Sequence, residues 1–165
     1  MPNLIPVTPL SPSTRFAIVV ARWNESVTRK LFDGAVATLK EQGVPDESID
    51  VAWVPGSMEI PLVANRFAIS NRYAAVICLG VVIRGETTHD QHINRAVTNA
   101  ITQIALETNI PVLFGVLTCE TMDQAIQRAG GKVGNKGAEC AEAAVQMAGL
   151  LKSLPNTNDE FPNGG

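Results

Sequence analysis

The sequence predicts a single three-layer α/β domain: a four-stranded parallel sheet with helices on both faces. Short apolar runs alternate with helical patterns four times before one extra helix. Alternation of this kind implies parallel strands joined by crossover helices. Residues 74–83 are apolar almost throughout, and a strand without a polar face is covered on both sides, as in the middle of a parallel sheet.

Each element has its own signals. Pro2, Pro6, Pro9 and Pro12 make residues 1–14 an extended arm. Residues 16–21 read as a buried strand. Asn24 or Ser26 caps the next helix, where Val27, Leu31, Ala35 and Leu39 recur every four residues. Gly43 and Pro45 end it. A second strand covers about 49–54 and is broken by Pro55-Gly56. A shorter helix starts near Ser57, and Pro61 is tolerable only in its first turn. The third strand, 74–83, has Gly80 inside it, and 84–89 form a polar loop. A helix over about 90–107 puts Ile93, Val97, Ala100, Ile101 and Ile104 on one face. The fourth strand runs from Pro111 to about Leu117. Thr121 and Gln124 form a capping box for a short helix ending at Gly130. After a Gly- and Lys-rich loop, a last helix over about 135–153 carries a small-residue face of Ala138, Ala141, Ala144, Val145 and Ala148. The domain spans 15–154, and the polar tail 155–165 reads as disordered.

Composition narrows the function. A chain of 165 residues buries about 70% of the surface it exposes unfolded, enough for a real core. A net charge of -3 gives no electrostatic case for a nucleic-acid partner. No apolar run approaches a membrane span, and the arm lacks the continuous apolar stretch of a secretory signal. A cytoplasmic location is expected, with a plastid left open for the mature form of a plant-type chain. The sequon Asn24-Glu25-Ser26 is then a chance match. Cys78, Cys119 and Cys140 fit neither a metal site nor a CxxC pair and read as buried, reduced thiols.

In open α/β sheets ligands bind beyond the carboxyl ends of the strands, near the switch in strand order. That rule selects four loops: Arg22-Trp23-Asn24, Pro55-Gly56-Ser57-Met58-Glu59, Arg84 through Asp90, and Thr118-Cys119-Glu120. Trp23 offers a flat face for a planar ring, or simply covers the core. Gly56 and Ser57 offer backbone N–H donors and Glu59 an acceptor, or they merely cap a helix. Arg84, Thr87 and Thr88 surround a glycine before a helix, a setting that favours anions. Neither GxxxxGK[ST] nor GxGxxG occurs. His89 and His92, the two histidines, flank one helix start, and histidine suits proton transfer near neutrality. Glu86, His89, Asp90 and His92 match no known metal-ligand spacing, so no metal is expected. Arg128, Lys132 and Lys136 gather around Gly130-Gly131, as a phosphate-binding turn or a solvated loop.

In order along the chain, these motifs resemble the lumazine synthase family. They are Trp23-Asn24, Val54-Pro55-Gly56-Ser57-Met58-Glu59-Ile60-Pro61, residues 80–89, Phe114-Gly115-Val116-Leu117-Thr118, residues 124–130, and Gly134-Asn135-Lys136-Gly137-Ala138-Glu139. The resemblance covers roughly 15–151 and implies a flavodoxin-like sheet and homopentameric rings, in some members assembled into an icosahedral shell. It also implies condensation of 5-amino-6-(D-ribitylamino)uracil with 3,4-dihydroxy-2-butanone 4-phosphate, without metal or cofactor. In that reading Trp23 stacks on the pyrimidine, where many members have Phe, with Asn24 beside it. Ser57, Met58 and Glu59 hold the ribityl chain, and Val81, Val82 and Ile83 line the ring through their backbone. Glu86 and Thr87 bind the phosphate ester through the loop, and His89 shuttles protons. Phe114 and Arg128 come from a neighbouring subunit, with Lys136 a weaker phosphate partner. The chain departs from the family after His89, where Asp90-Gln91-His92 replaces the usual aromatic segment, and Asp90 is expected to cap the helix. A competing reading of the same resemblance is a flavin-binding or shell-forming homologue that has little catalysis. The compact 130–137 turn resembles shell-forming members.

Overall fold

The computed structural model describes residues 1–156. Its elements are β1 (Phe16–Ala21), α1 (Glu25–Glu41), β2 (Ile49–Val54), α2 (Ile60–Ile69), β3 (Ala75–Ile83), α3 (His89–Thr108), β4 (Val112–Cys119), α4 (Met122–Arg128), β5 (Ala129–Gly131), β6 (Gly134–Asn135) and α5 (Lys136–Ser153). The main sheet has the order β2-β1-β3-β4, and every pairing in it is parallel. This is the flavodoxin-like three-layer arrangement the sequence predicts.

The alternation of side chains along β1 and β3 builds the two outer layers. Phe16, Ile18 and Val20, with Ile77, Leu79 and Val81, pack against Val27, Leu31, Ala35 and Leu39 of α1 and the alanines of α5. Ala17, Val19 and Ala21, with Val76, Cys78 and Val82, pack against Ile60, Ala64 and Ala68 of α2 and Val97, Ile101 and Ile104 of α3. All six residues of β1 are buried. Truncating a fully enclosed leucine such as Leu31 or Leu79 to alanine costs about 2–5 kcal/mol in such a core.

Several boundaries differ from those expected, each for a local reason. α1 does begin after Asn24, but Asn24 is left-handed (φ 61°) and makes no side-chain cap. Its carbonyl instead accepts from Val27 N at 2.9 Å and Thr28 N at 3.1 Å. The Ser57–Glu59 segment is a tight 3-10 turn that leads into α2, with Pro61 in the first helical turn. α3 starts at His89, so this histidine is helical rather than a loop residue, and Thr88, not Asp90, sits at the cap. β4 runs two residues further than the apolar run, because Thr118 and Cys119 stay in register with Val82 and Ile83. Thr121 Oγ1 accepts from Gln124 N at 3.2 Å, but Gln124 returns its bond to Glu120 N at 2.9 Å. α4 ends at Arg128, and the glycines beyond it form a small antiparallel β5–β6 hairpin instead of a loop.

The small-residue face of α5 permits a close crossing with α1. A Cβ on Gly137 would overlap the carbonyl oxygen of Leu31, and Asn135 reaches across to donate to Lys30 O at 2.9 Å while capping α5 through Ala138 N. Further along α5, Gly149 accepts from Thr8 N at 3.1 Å and pins the otherwise extended arm. Of the expected tail, 155–165, residues 157–165 lie outside the described residues. All three cysteines are buried and unbridged.

At the amino end of the sheet, Asp50 Oδ2 accepts from Tyr73 Oη at 2.5 Å and from Arg15 Nη2 at 2.6 Å. These bonds, Tyr73 first and Arg15 second, hold the Asp50 carboxyl below its ordinary value of 3.8. A group with a lowered folded-state pKa stabilises the fold above its unfolded pKa and loses that contribution as pH falls through the folded value. In urea titrations, the stability gap between the parent and Asp50→Asn should therefore be constant near neutrality and shrink below about pH 4. A gap that holds at pH 3 would exclude this linkage. Gly137→Ala should lower unfolding free energy by at least ~1–3 kcal/mol, since backbone on both sides must move. An unchanged urea midpoint would show that α1 and α5 separate easily.

Candidate active site

The strand order reverses between β1 and β3, because the chain goes from β1 to one neighbour and returns on the other side. A cleft of about 460 Å³ opens beyond the carboxyl ends of these strands. It is lined from β1 by Trp23 and Asn24, from β2 by Gly56–Glu59, and from β3 by Val81, Val82 and Ile83. Gly85, Thr87, His89, Asp90 and Ile93 close its far side.

Trp23 is 73% exposed, so its indole covers no core. It stands where it does because the ladder between β1 and β2 continues past both strands: Arg22 N donates to Val54 O at 2.8 Å and Trp23 N to Pro55 O at 3.0 Å. The Arg22 and Arg29 guanidinium groups stack over Trp53 at 5.4 and 4.5 Å, fixing the start of the loop.

The turn after β2 is shaped by glycines. Gly56 N donates to Glu59 Oε2 at 2.9 Å, so the Glu59 carboxylate caps its own turn and keeps its other oxygen for the cleft. A Cβ on Gly56 would press on Glu59 Oε2 at 3.2 Å. Ser57 is buried, and a Cβ on Gly80 would lie 2.7 Å from its Oγ. Gly80 thus interrupts an apolar strand to make room for a polar side chain. Met58 remains half exposed beside it.

On the β3 side, Thr87 Oγ1 accepts from His89 N at 3.4 Å. His89 lines the cleft, whereas His92 does not. Glu86 is exposed and does not line this cleft, and Arg84 is turned to Glu120 at 3.6 Å in an exposed pair that contributes little.

Phe114, Arg128 and Lys136 line a second cleft of about 400 Å³ with Cys119, Val133 and Glu139. Arg128 Nη1 donates to Gln124 O at 3.2 Å, and Lys136 Nζ lies 3.3 Å from Glu139 Oε2. Burial pushes the Cys119 thiol up, and the Arg128 charge opposes the shift. Lys132 lies outside this cleft. Of the residues singled out from sequence, Trp23, Asn24, Ser57, Met58, Glu59, Val81, Val82, Ile83, Thr87 and His89 line the first cleft, whereas Phe114, Arg128 and Lys136 line the second. The sequence reading missed Ile93 as a lining residue, because its spacing marked it as core. It also missed Gly80 as the spacer for Ser57, which a lone glycine in an apolar strand could have flagged. Among the described residues, no three His, Cys, Asp or Glu side chains are placed to share a metal ion, and no helix is long and apolar enough to cross a membrane.

A family model described as 6,7-dimethyl-8-ribityllumazine synthase matches residues 13–152.

The Gly80–Ser57 approach is directly testable. Gly80→Ala should cost ~1–3 kcal/mol in a thermal or urea melt, because both Ser57 and Ile60 must give way. Gly85→Ala, where a Cβ meets nothing within 4 Å, should change stability by less than about 0.5 kcal/mol. Equal effects at the two positions would show that the turn after β2 is not braced against β3.

Proposed function

The chain belongs to the 6,7-dimethyl-8-ribityllumazine synthase family, a family of transferases, and on that premise we propose that it condenses 5-amino-6-(D-ribitylamino)uracil with 3,4-dihydroxy-2-butanone 4-phosphate, a step of riboflavin biosynthesis. The observation that carries the proposal is the switch-point cleft. It combines an exposed indole, a polar turn and a histidine at a helix start.

In this reading Trp23 stacks on the pyrimidine, which contributes about 0.5–1.5 kcal/mol beyond area burial, and Asn24 fixes the left-handed bend that presents it. Ser57, Met58 and Glu59 hold the ribityl chain, and the backbone of Val81, Val82 and Ile83 meets the ring. The 5-amino group attacks the ketone and water leaves, giving an imine. A proton is lost from the neighbouring carbon and phosphate departs, leaving an enol that tautomerises to a ketone and a methyl group. The ribitylamino nitrogen then attacks that ketone, and a second water leaves as the ring closes. Each step moves protons, which is the role of His89. The departing phosphate is bound by the loop that carries Glu86 and Thr87, and by Arg128 and Lys136.

The separation of the two clefts supports an assembly. A ring in which each chain's first cleft faces its neighbour's second brings Phe114 over the bound pyrimidine and Arg128 to the phosphate ester. A homopentamer is the ring proposed, with the compact β5–β6 hairpin favouring its assembly into an icosahedral shell.

Mixing both substrates with the purified protein should produce the lumazine chromophore faster than the uncatalysed background. His89→Ala should lower the rate by about 10²–10⁴-fold. Arg128→Ala should raise the KM for the phosphate substrate about tenfold or more. Refolded mixtures of the two variants should recover activity at about a quarter of their interfaces if sites are shared between chains. No recovery would place each site within one chain. No turnover from a folded, assembled protein would favour the flavin-binding reading.

A further inference from the structure

Helix α3 carries a row of residues spaced by four: Ile101, Val97, Ile93 and His89. Residues at that spacing lie one above another on a single face, with Cβ atoms about 5–6 Å apart. Val97 and Ile101 are buried in the layer that packs on the sheet, and Ile93 is a half-buried member of the same cluster. The row emerges from the core at Ile93, and both Ile93 and His89 line the first cleft. The loop before α3 and the start of that helix also give the cleft Gly85, Thr87 and Asp90. Among the described residues, Ile93 is thus the one apolar side chain on that wall.

We propose that Ile93 is a specificity-determining residue that limits the size of the alkyl group on the ketone substrate. The inference rests on the condensation proposed above, in which His89 moves protons on the carbon chain of the ketone. That chain carries a phosphate ester on one side of its carbonyl and a bare methyl group on the other. The methyl group gains nothing from polar neighbours and is stabilised only against apolar surface. In the proposed reading Trp23 and the backbone of β3 meet the pyrimidine, and Met58 meets the ribityl chain. Thr87, His89 and Asp90 are polar. Ile93, one helical turn from His89, is left to face the methyl group. Isoleucine suits a fixed boundary, because branching at Cβ leaves one strongly preferred χ1 rotamer in a helix. The core cluster behind Ile93 leaves that side chain little room to retreat. A methyl group therefore meets a firm apolar wall, and a longer alkyl group overpacks it.

The test compares 3,4-dihydroxy-2-butanone 4-phosphate with 1,2-dihydroxy-3-pentanone 1-phosphate, which carries ethyl in place of methyl. The homologue follows the same course: the 5-amino group attacks its carbonyl, two waters and phosphate leave, and 6-ethyl-7-methyl-8-ribityllumazine forms. Each ketone is mixed with the pyrimidine substrate and the assembled parent, Ile93→Val or Ile93→Ala. Lumazine absorbance gives kcat/KM, and product mass identifies the ethyl compound. The parent should prefer the methyl ketone about tenfold or more, the discrimination one methylene supports. Both variants should shrink that preference about tenfold, with KM for the pyrimidine unchanged. Ile93→Val removes one carbon, the same volume that ethyl adds, and disturbs the core least. The preference is a ratio measured on one protein, so an unfolded fraction cancels from it. A ratio that neither variant moves would overturn the proposal. So would a parent that uses both ketones equally, or a raised KM for the pyrimidine at constant ratio, which would place residue 93 against the ring. If the parent turns over neither ketone above background, the condensation reading falls and this proposal falls with it. Turnover of the methyl ketone with an unmoved ratio removes this proposal alone.

Discussion

Everything in this structure depends on β1 and β3 being apolar on both faces. A strand with two buried faces cannot lie at the surface of a layer, so helices must cover both sides and the chain must cross over after each strand. The all-buried β1 has β2 on one side and β3 on the other, which forces the connections to diverge at their shared end. That divergence opens the cleft. The hydrophobic burial that stabilises the domain and the position of its polar site are thus consequences of one pattern.

Within that frame, distances are set by residues that lack side chains. Gly80 lets Ser57 approach the sheet, Gly56 lets Glu59 fold back onto its own turn, and Gly137 lets α5 lie against the backbone of α1. The α1–α5 contact is remote from the first cleft, yet α5 lines the second through Lys136 and Glu139. Asn135 caps α5 and ties it to α1, and the hairpin that ends at Asn135 starts directly after Arg128. A helix crossing set by packing therefore also anchors the hairpin that follows Arg128.

The fold was legible in the sequence because periodicity reports burial, and burial is what distinguishes layers. The apolar run of β3, the four-residue spacing in α1 and the order of the loops all lead to the observed sheet. Boundaries were legible only where a residue has one dominant local preference. Pro61 and Thr121 fall at helix starts as expected, whereas Asn24 uses its left-handed backbone and leaves its side chain out of the cap. Thr118 and Cys119 stay in the strand for a non-local reason: ladder bonds to β3 outweigh a polar side chain at an edge. At the site, the membership of the first cleft follows from the position of loops after strands. The separation of Phe114, Arg128 and Lys136 from His89 does not, because β4 lies at the far edge of the sheet and no local signal records that distance.

The exposed indole of Trp23 and the second cleft share one feature: each leaves groups suited to a ligand at the surface of the chain. Trp23 is 73% exposed beside the first cleft, and Phe114 and Arg128 line the second, away from it. An exposed aromatic face adds little to the stability of a domain by itself. Under the proposed function, such groups gain their partners from the ligand and from a neighbouring chain. The first cleft is braced where Gly56 and Gly80 admit their close neighbours, and open where Trp23 and Met58 stand exposed.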